Sequence, residues 1–279
     1  MRVEISPGVR LFVDVDGLGL VPEGSAMVER PTLLYLHGGP GLDHSHYKRA
    51  ERNRLSEVAQ LVFYDHRGNG RSDWRTSDEW NLDTWADDVV RLCDTLGIEH
   101  PMVLGESFGG FVAQHYIARH PEHPRKVILA CTGARLDLDV IGDAFTRMGS
   151  EAASSAIRRF FGGDASAFGE FLEHCIPLYS TEPMDPDGML RTVMNMDVMN
   201  DFFAREVKTM DLRAGLAAAQ CPVLVLAGEQ DPVLPVELNR EIVASLPDGL
   251  ARLEVMRGVS HLQVVDAASD LIREFVLAT

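Results

Sequence analysis

The sequence predicts an α/β fold, with a mostly parallel central sheet flanked by helices and an all-helical segment inserted in it. Three observations carry this. Apolar runs of strand length alternate with stretches of helical spacing on both sides of a long gap. The gap, from about Ala134 to Leu216, has no strand signal and only short helical stretches broken by Gly and Pro. The apolar run Met102–Leu104 stops at Gly105-Glu106-Ser107-Phe108-Gly109, and an amphipathic helix then runs to about Arg119, before Pro121. A serine at the apex of a strand–turn–helix junction is the setting of a nucleophile elbow. Residues 1–133 and 217–279 are therefore expected to form the core, and 134–216 a helical cap inserted in it.

In chain order, Val9–Val15 alternates enough for an edge strand, Gly17–Gly24 reads as a turn, and Ala26–Val28 as a short second strand. Thr32–Leu36 is a continuous apolar run, as a central parallel strand requires. It ends in His37-Gly38-Gly39-Pro40-Gly41. Asn53–Val58 reads as a short helix and Gln60–Tyr64 as the next strand, followed by Asp65-His66-Arg67-Gly68-Asn69-Gly70-Arg71-Ser72. Leu82–Leu96 has helical spacing through Trp85, Val89 and Leu92, with Asp83 as the expected cap and Gly97 as the stop. Lys126–Cys131 is a further strand. After the gap come a strand at Pro222–Ala227, a helix near Pro235–Leu246, a strand at Arg252–Met256 and a closing helix at Leu262–Leu277.

A serine hydroxyl is a weak nucleophile unless a base takes its proton. With the serine on an elbow, an acid and then a histidine follow it along the chain. Of ten histidines, His115, His120, His123, His174 and His261 lie beyond Ser107. The first three sit on or just after the elbow helix and point away from the sheet edge, and His174 is in the cap. His261 follows the last strand, which places it at the carboxyl edge as the base. The strand before the cap ends in Cys131-Thr132-Gly133, without an acid. The next ends in Gly228-Glu229-Gln230-Asp231, so Asp231 is the expected acid and Glu229 its runner-up. Oxyanion donors are expected from the Phe108 amide and from the Gly-rich loop after Leu36. Pro40 has no N–H, and it biases Gly39 toward an extended backbone. Gly39 is the favoured second donor, with Gly38 behind it. His37 is expected to be structural, Glu106 to lie beneath the elbow, and Asp65–Ser72 to brace the oxyanion loop, with Arg67 bridging loops.

Composition narrows the partners. Hydrophobic content is 46% and charged content 24%, ordinary for a globular protein. The net charge of −16 argues against nucleic acid. Cys93, Cys131, Cys175 and Cys221 are far apart and form no CxxC or Cys/His cluster, so no metal is expected. The N-terminal stretch lacks an apolar signal core and no stretch could span a bilayer, so the chain reads as cytoplasmic with no membrane partner. Oligomeric state is left open.

The three blocks His37–Gly41, Asp65–Ser72 and Gly105–Gly110, with Ser107, Asp231 and His261 in that order, resemble the α/β-hydrolase fold family, and more narrowly its proline iminopeptidase group. The resemblance covers essentially the whole chain. It implies a serine hydrolase that cleaves a small ester or amide through an acyl-enzyme, without metal or organic cofactor. Iminopeptidases place carboxylates near the site to receive a cationic N-terminus. One follows the catalytic aspartate, where this chain has Pro232; another sits in a tryptophan-rich cap segment, whereas Trp74, Trp80 and Trp85 all precede this cap. Glu151, Glu170, Glu173, Glu182 and Glu206 are the cap glutamates that could substitute. A neutral ester or amide substrate is therefore expected first and an N-terminal proline peptide second. A cofactor-free lyase or C–C hydrolase, or a non-catalytic ligand receptor, are the readings from other classes. Seven of the eleven methionines fall in the cap, which is expected to leave an apolar, methionine-lined pocket.

Overall fold

The computed structural model describes residues 1–48, 51–185 and 187–278. Ten strands are described: β1 Arg2–Ser6, β2 Val9–Asp16, β3 Leu20–Glu23, β4 Ala26–Glu29, β5 Thr32–Leu36, β6 Gln60–Tyr64, β7 Met102–Glu106, β8 Lys126–Ala130, β9 Val223–Gly228 and β10 Ala251–Met256. Eight of them form one sheet in the order β1-β2-β6-β5-β7-β8-β9-β10. The pairings from β6 through β10 are parallel, and β1 and β2 add an antiparallel edge. From β5 the chain goes to β6 on one side and returns to β7 on the other. The strand order reverses there, and ligands of open α/β sheets bind outside the carboxyl ends at such a switch point. The loops after β5 and β7, which carry Gly38–Gly39 and Ser107, flank it.

Alternate residues of the central strands feed opposite faces, as a pleated sheet buried on both sides requires. Leu34, Leu36, Val103, Val127 and Val225 pack with helices α1 (Leu82–Leu96) and α2 (Phe108–Arg119). Leu33, Tyr35, Leu104, Ile128 and Leu226 pack with Val264, Val265, Ile272 and Val276 near the C-terminus. Among the described residues, the stretch between β8 and β9 contains no strand. It holds α3 (Leu138–Met148), α4 (Glu151–Phe161) and α5 (Met196–Ala204), joined by short helical turns. After β9 come α6 (Val236–Ser245) and α7 (Ser269–Leu277).

Several elements depart from the sequence expectation. The Val9–Val15 strand is not at the edge, because β1 covers it. Part of the expected turn at Gly17–Gly24 is β3, which pairs only with β4 in a separate hairpin. The Asn53–Val58 stretch is a tighter 3-10 helix, Glu51–Glu57. Helix α1 is capped by Asn81, whose Oδ1 accepts the Thr84 N–H at 2.8 Å; Gly97 ends it at φ 68° as expected. Asp83 instead bonds across to His115 and Arg119 on α2. Helix α2 is buried on almost every side rather than amphipathic, since it lies between the sheet and later helices. The expected closing helix is interrupted at Ala268, leaving a 3-10 turn at His261–Gln263 and a short turn before α7.

Candidate active site

The parallel strands deliver every candidate residue to one edge. Ser107 sits between β7 and α2 at φ 55°, ψ −117°, a region that L residues rarely occupy. Such a conformation costs roughly 1–3 kcal/mol and persists only where neighbours enforce it. Here the Ser107 N–H donates to the Ala130 carbonyl at 2.9 Å, and the Thr132 hydroxyl donates to the Ser107 carbonyl at 2.9 Å. Close approach makes the glycines obligatory: a Cβ on Gly109 would lie 2.0 Å from the Leu36 oxygen, and one on Gly105 2.4 Å from the Gly109 oxygen.

His261 Nε2 is 3.0 Å from Ser107 Oγ, and its Nδ1 is 2.8 Å from Asp231 Oδ2. Both His261 and Asp231 are buried. Asp231 Oδ1 accepts the Val233 and Leu234 amides at 2.8 and 3.1 Å, which fixes the carboxylate plane. Glu229 is exposed, and its Oε2 accepts the Gly258 N–H at 2.9 Å, so it supports the His261 loop from outside. The remaining downstream histidines are engaged elsewhere: His115 with Asp83, His120 with Asp87, and His123 with the Tyr116 hydroxyl. His174, in the helical segment, is half-buried.

The loop after β5 folds back as Gly39-Pro40-Gly41-Leu42, with the Leu42 N–H donating to the Gly39 carbonyl at 3.0 Å and Gly41 at φ 86°. Proline second and a positive-φ glycine third are the signature of a type II turn. Gly39 itself lies at φ 62°, not in the extended conformation expected before proline. Lacking a Cβ, it escapes the clash that causes that bias. Gly38 faces the nucleophile, since its Cβ would fall 3.0 Å from Ser107 Cβ. Among the described residues, the amides of Phe108, Gly38 and Gly39 have no hydrogen-bond acceptor.

Residues 65–72 hold this loop in place. Asp65 accepts from the amides of His44 and Arg71 and pairs with His44 Nδ1 at 2.6 Å; Asn69 Oδ1 accepts the Gly41 N–H. Arg67 bridges to α1 through two bonds to Asp88, at 2.9 and 2.7 Å, and to Glu79. Beneath the elbow, the Tyr35 hydroxyl donates to buried Glu106. His37 is fully buried; its Nδ1 is 2.9 Å from the Gly38 carbonyl, and its Nε2 accepts the His66 N–H at 3.2 Å. That is the bonding of a neutral structural imidazole.

Burial pushes His37 below, and His66 well below, the usual imidazole value of 6.5. With both held neutral in the fold, the unfolded chain takes up protons first, so their contribution to stability falls as pH drops below 6.5. The urea midpoint is expected to fall between pH 7.5 and about 5.5, and His66→Phe, whose ring can keep the edge contact with Phe108, should flatten that fall. Equal slopes in the two proteins would show that His66 is not responsible.

Two residues of the helical segment that the sequence reading did not single out join the site. Asn195 donates its amide to the Gly41 carbonyl at 2.7 Å and its side chain to the Gly68 carbonyl at 2.8 Å, while its Oδ1 caps α5. The one available signal was local, an Asn two residues before Asp at a helix start. Tyr179 packs its ring against His261, with centroids 5.2 Å apart. The interior of this segment is built mainly by Phe145, Phe160, Phe161, Phe171, Phe202 and Phe203 rather than by the methionines. Met199 and Met210 join that core, Met184 is 38% exposed, and the side chain of Met189 lies outside the described residues. Two cavities lie apart from Ser107. One of about 430 Å³ is bounded by α1, α2 and residues 206–215, and one of about 540 Å³ includes Arg147, Leu178, Thr181, Gln230 and Ser260.

Residues 31–268 match the sequence profile of the alpha/beta hydrolase fold. The chain belongs to the α/β-hydrolase fold family. Proline iminopeptidase PfmaB of Pestalotiopsis fici is 25% identical over 263 residues, covering 90% of this chain and 92% of that one. The putative carbamate hydrolase RutD of a Caulobacter species is 26% identical over 246 residues, covering 84% and 85%. Among solved structures, the proline iminopeptidase of Mycobacterium smegmatis superposes with a TM-score of 0.74 at 20% identity, covering 99% of this chain and 97% of that one. The resemblance to the proline iminopeptidase-like group thus holds over nearly the full length, and an α/β-fold hydrolase is the activity class it supports. Among the described residues, no helix of this hydrolase is long and apolar enough to cross a membrane.

Proposed function

We propose that the protein is a serine hydrolase that cleaves a small neutral ester or amide through an acyl-enzyme. The observation that carries this is the continuous path from Asp231 Oδ2 through the His261 ring to Ser107 Oγ, with separations of 2.8 and 3.0 Å. In this reading Ser107 attacks the substrate carbonyl as His261 Nε2 takes its proton. Asp231 holds the Nδ1–H tautomer and stabilises the imidazolium. The oxyanion is received by the Phe108 amide, at the start of α2, and by an amide of the Gly38–Gly39 turn, groups that have no other acceptor among the described residues. His261 returns the proton to the leaving group, and a water reverses the sequence to release the acid. Residues 134–216 act as a cap over the site, a role supported by Asn195 and Tyr179. Four buried free cysteines support a reducing, cytoplasmic setting.

The neutral substrate is favoured by the carboxylate inventory. Among the described residues, the only carboxylate hydrogen-bonded to the Ser107–His261 pair is Asp231. Pro232 stands beside it, Glu170 is engaged with Arg159, and Glu206 accepts the Leu82 amide. Glu151, Glu173 and Glu182 are exposed. A buried ammonium without a partner costs several kcal/mol. Cleavage of N-terminal proline is the second reading, favoured by the names of the relatives. Purified protein should show a higher kcat/KM for short acyl esters than for proline aryl-amides at one pH. The reverse order would establish the aminopeptidase reading.

A further inference from the structure

The loop that carries His261 is fastened to the helical insertion at two points. The Ser260 hydroxyl donates to the Leu178 carbonyl at 2.7 Å, and both the N–H and the hydroxyl of Thr181 donate to Gln263 Oε1 at 2.9 Å. The same Gln263 oxygen accepts the Ser260 N–H at 3.3 Å, closing a capping box on the turn that begins with His261. Between the two fastenings stands Tyr179. Its ring meets the His261 ring at an interplanar angle of 73°, with centroids 5.2 Å apart, and meets Phe171 from the insertion at 6.0 Å. Phe171 in turn packs on Phe160 and Phe161. Ring packing against His261 and Phe171 holds this side chain in place.

We propose that Tyr179 is the positioning residue of His261, and that docking of the insertion through Leu178–Thr181 thereby sets the competence of the triad. This rests on the serine-hydrolase reading above. The need for such a residue follows from the chemistry. His261 has one permanent hydrogen bond, from Nδ1 to Asp231, about which the ring can swing. Its other bond, to Ser107 Oγ, is surrendered when the oxygen joins the acyl group. For the rest of the cycle Nε2 must stay aimed, first at the leaving group and then at the incoming water. A flat ring packed against the imidazole and wedged by Phe171 blocks the swing.

The test uses the full chain with p-nitrophenyl butyrate as substrate and a fluorophosphonate to label Ser107. Tyr179→Ala is expected to lower kcat and the labelling rate together by about 10–100-fold, the range that a small misplacement of a catalytic group costs, with KM changed by less than about threefold. Tyr179→Phe keeps the ring and should restore kcat to within about threefold of wild type. The pair Ser260→Ala with Thr181→Val, which leaves Tyr179 intact but cuts the fastenings, should lower kcat in the same direction; it also keeps the proposal testable if Tyr179→Ala fails to fold. Wild-type kcat in Tyr179→Ala overturns the proposal. So does a Tyr179→Phe loss as deep as that of alanine, or an effect confined to KM. Wild-type protein that neither turns over the ester nor labels at Ser107 overturns the serine-hydrolase reading instead.

Discussion

Replacing Ser107 by alanine is expected to lower kcat by about 10⁴–10⁶-fold, leaving only what oxyanion donors and binding supply. A fluorophosphonate should label the wild type at this residue and leave the variant unlabelled. The backbone adds a second, independent readout. Ser107 is held at φ 55° and ψ −117°, a conformation that glycine adopts freely and alanine does not. Ser107→Gly should therefore unfold at a higher temperature than Ser107→Ala while being just as inactive. Labelling that survives in Ser107→Ala would mean that another nucleophile does the chemistry. Equal melting temperatures for the alanine and glycine variants would mean that the elbow stores no strain.

Asp231→Asn is expected to keep the fold and lower kcat by roughly 10⁴-fold. The geometry supplies the reason. Asp231 Oδ1 accepts two backbone amides, from Val233 and Leu234, so in the asparagine variant the oxygen must remain there. The NH₂ group then takes the place of Oδ2, facing His261 Nδ1. A donor at that position makes Nδ1 an acceptor and moves the ring proton to Nε2, the atom that must take the proton of Ser107. Glu229→Gln, in contrast, should stay within a few-fold of wild type, because the Glu229 side chain is exposed and its one hydrogen bond among the described residues is to the Gly258 amide of that loop. A collapse in Glu229→Gln beside near-normal Asp231→Asn would transfer the role of the acid.

The parts legible from the chain are those with local causes. Gly105, Gly109 and Gly110 around a serine announce the elbow, because strand and helix pass too closely for any side chain there. The order of strand ends places Ser107, Asp231 and His261 on one edge, since parallel strands all finish on the same side. His37 as a structural imidazole and Arg67 as a bridge were readable from the same glycine-rich blocks. The turn at Gly39 was not, because the bias imposed by Pro40 yields when the preceding residue lacks a Cβ.

Tertiary structure decided what depends on partners far along the chain. Asp83 and Asn81 are equally good caps by residue type. Asn81 serves because Asp83 is taken by Arg119 and His115 of α2. Asp231 and Glu229 differ only in which one faces inward as β9 ends. Asn195 and Tyr179 carried no signal for the site, since each acts through residues more than 80 positions away, Gly68 and His261. Periodicity and turn chemistry report which backbone conformation a segment adopts; which side chain meets which across the sheet edge is set by the packing of the inserted helices against it.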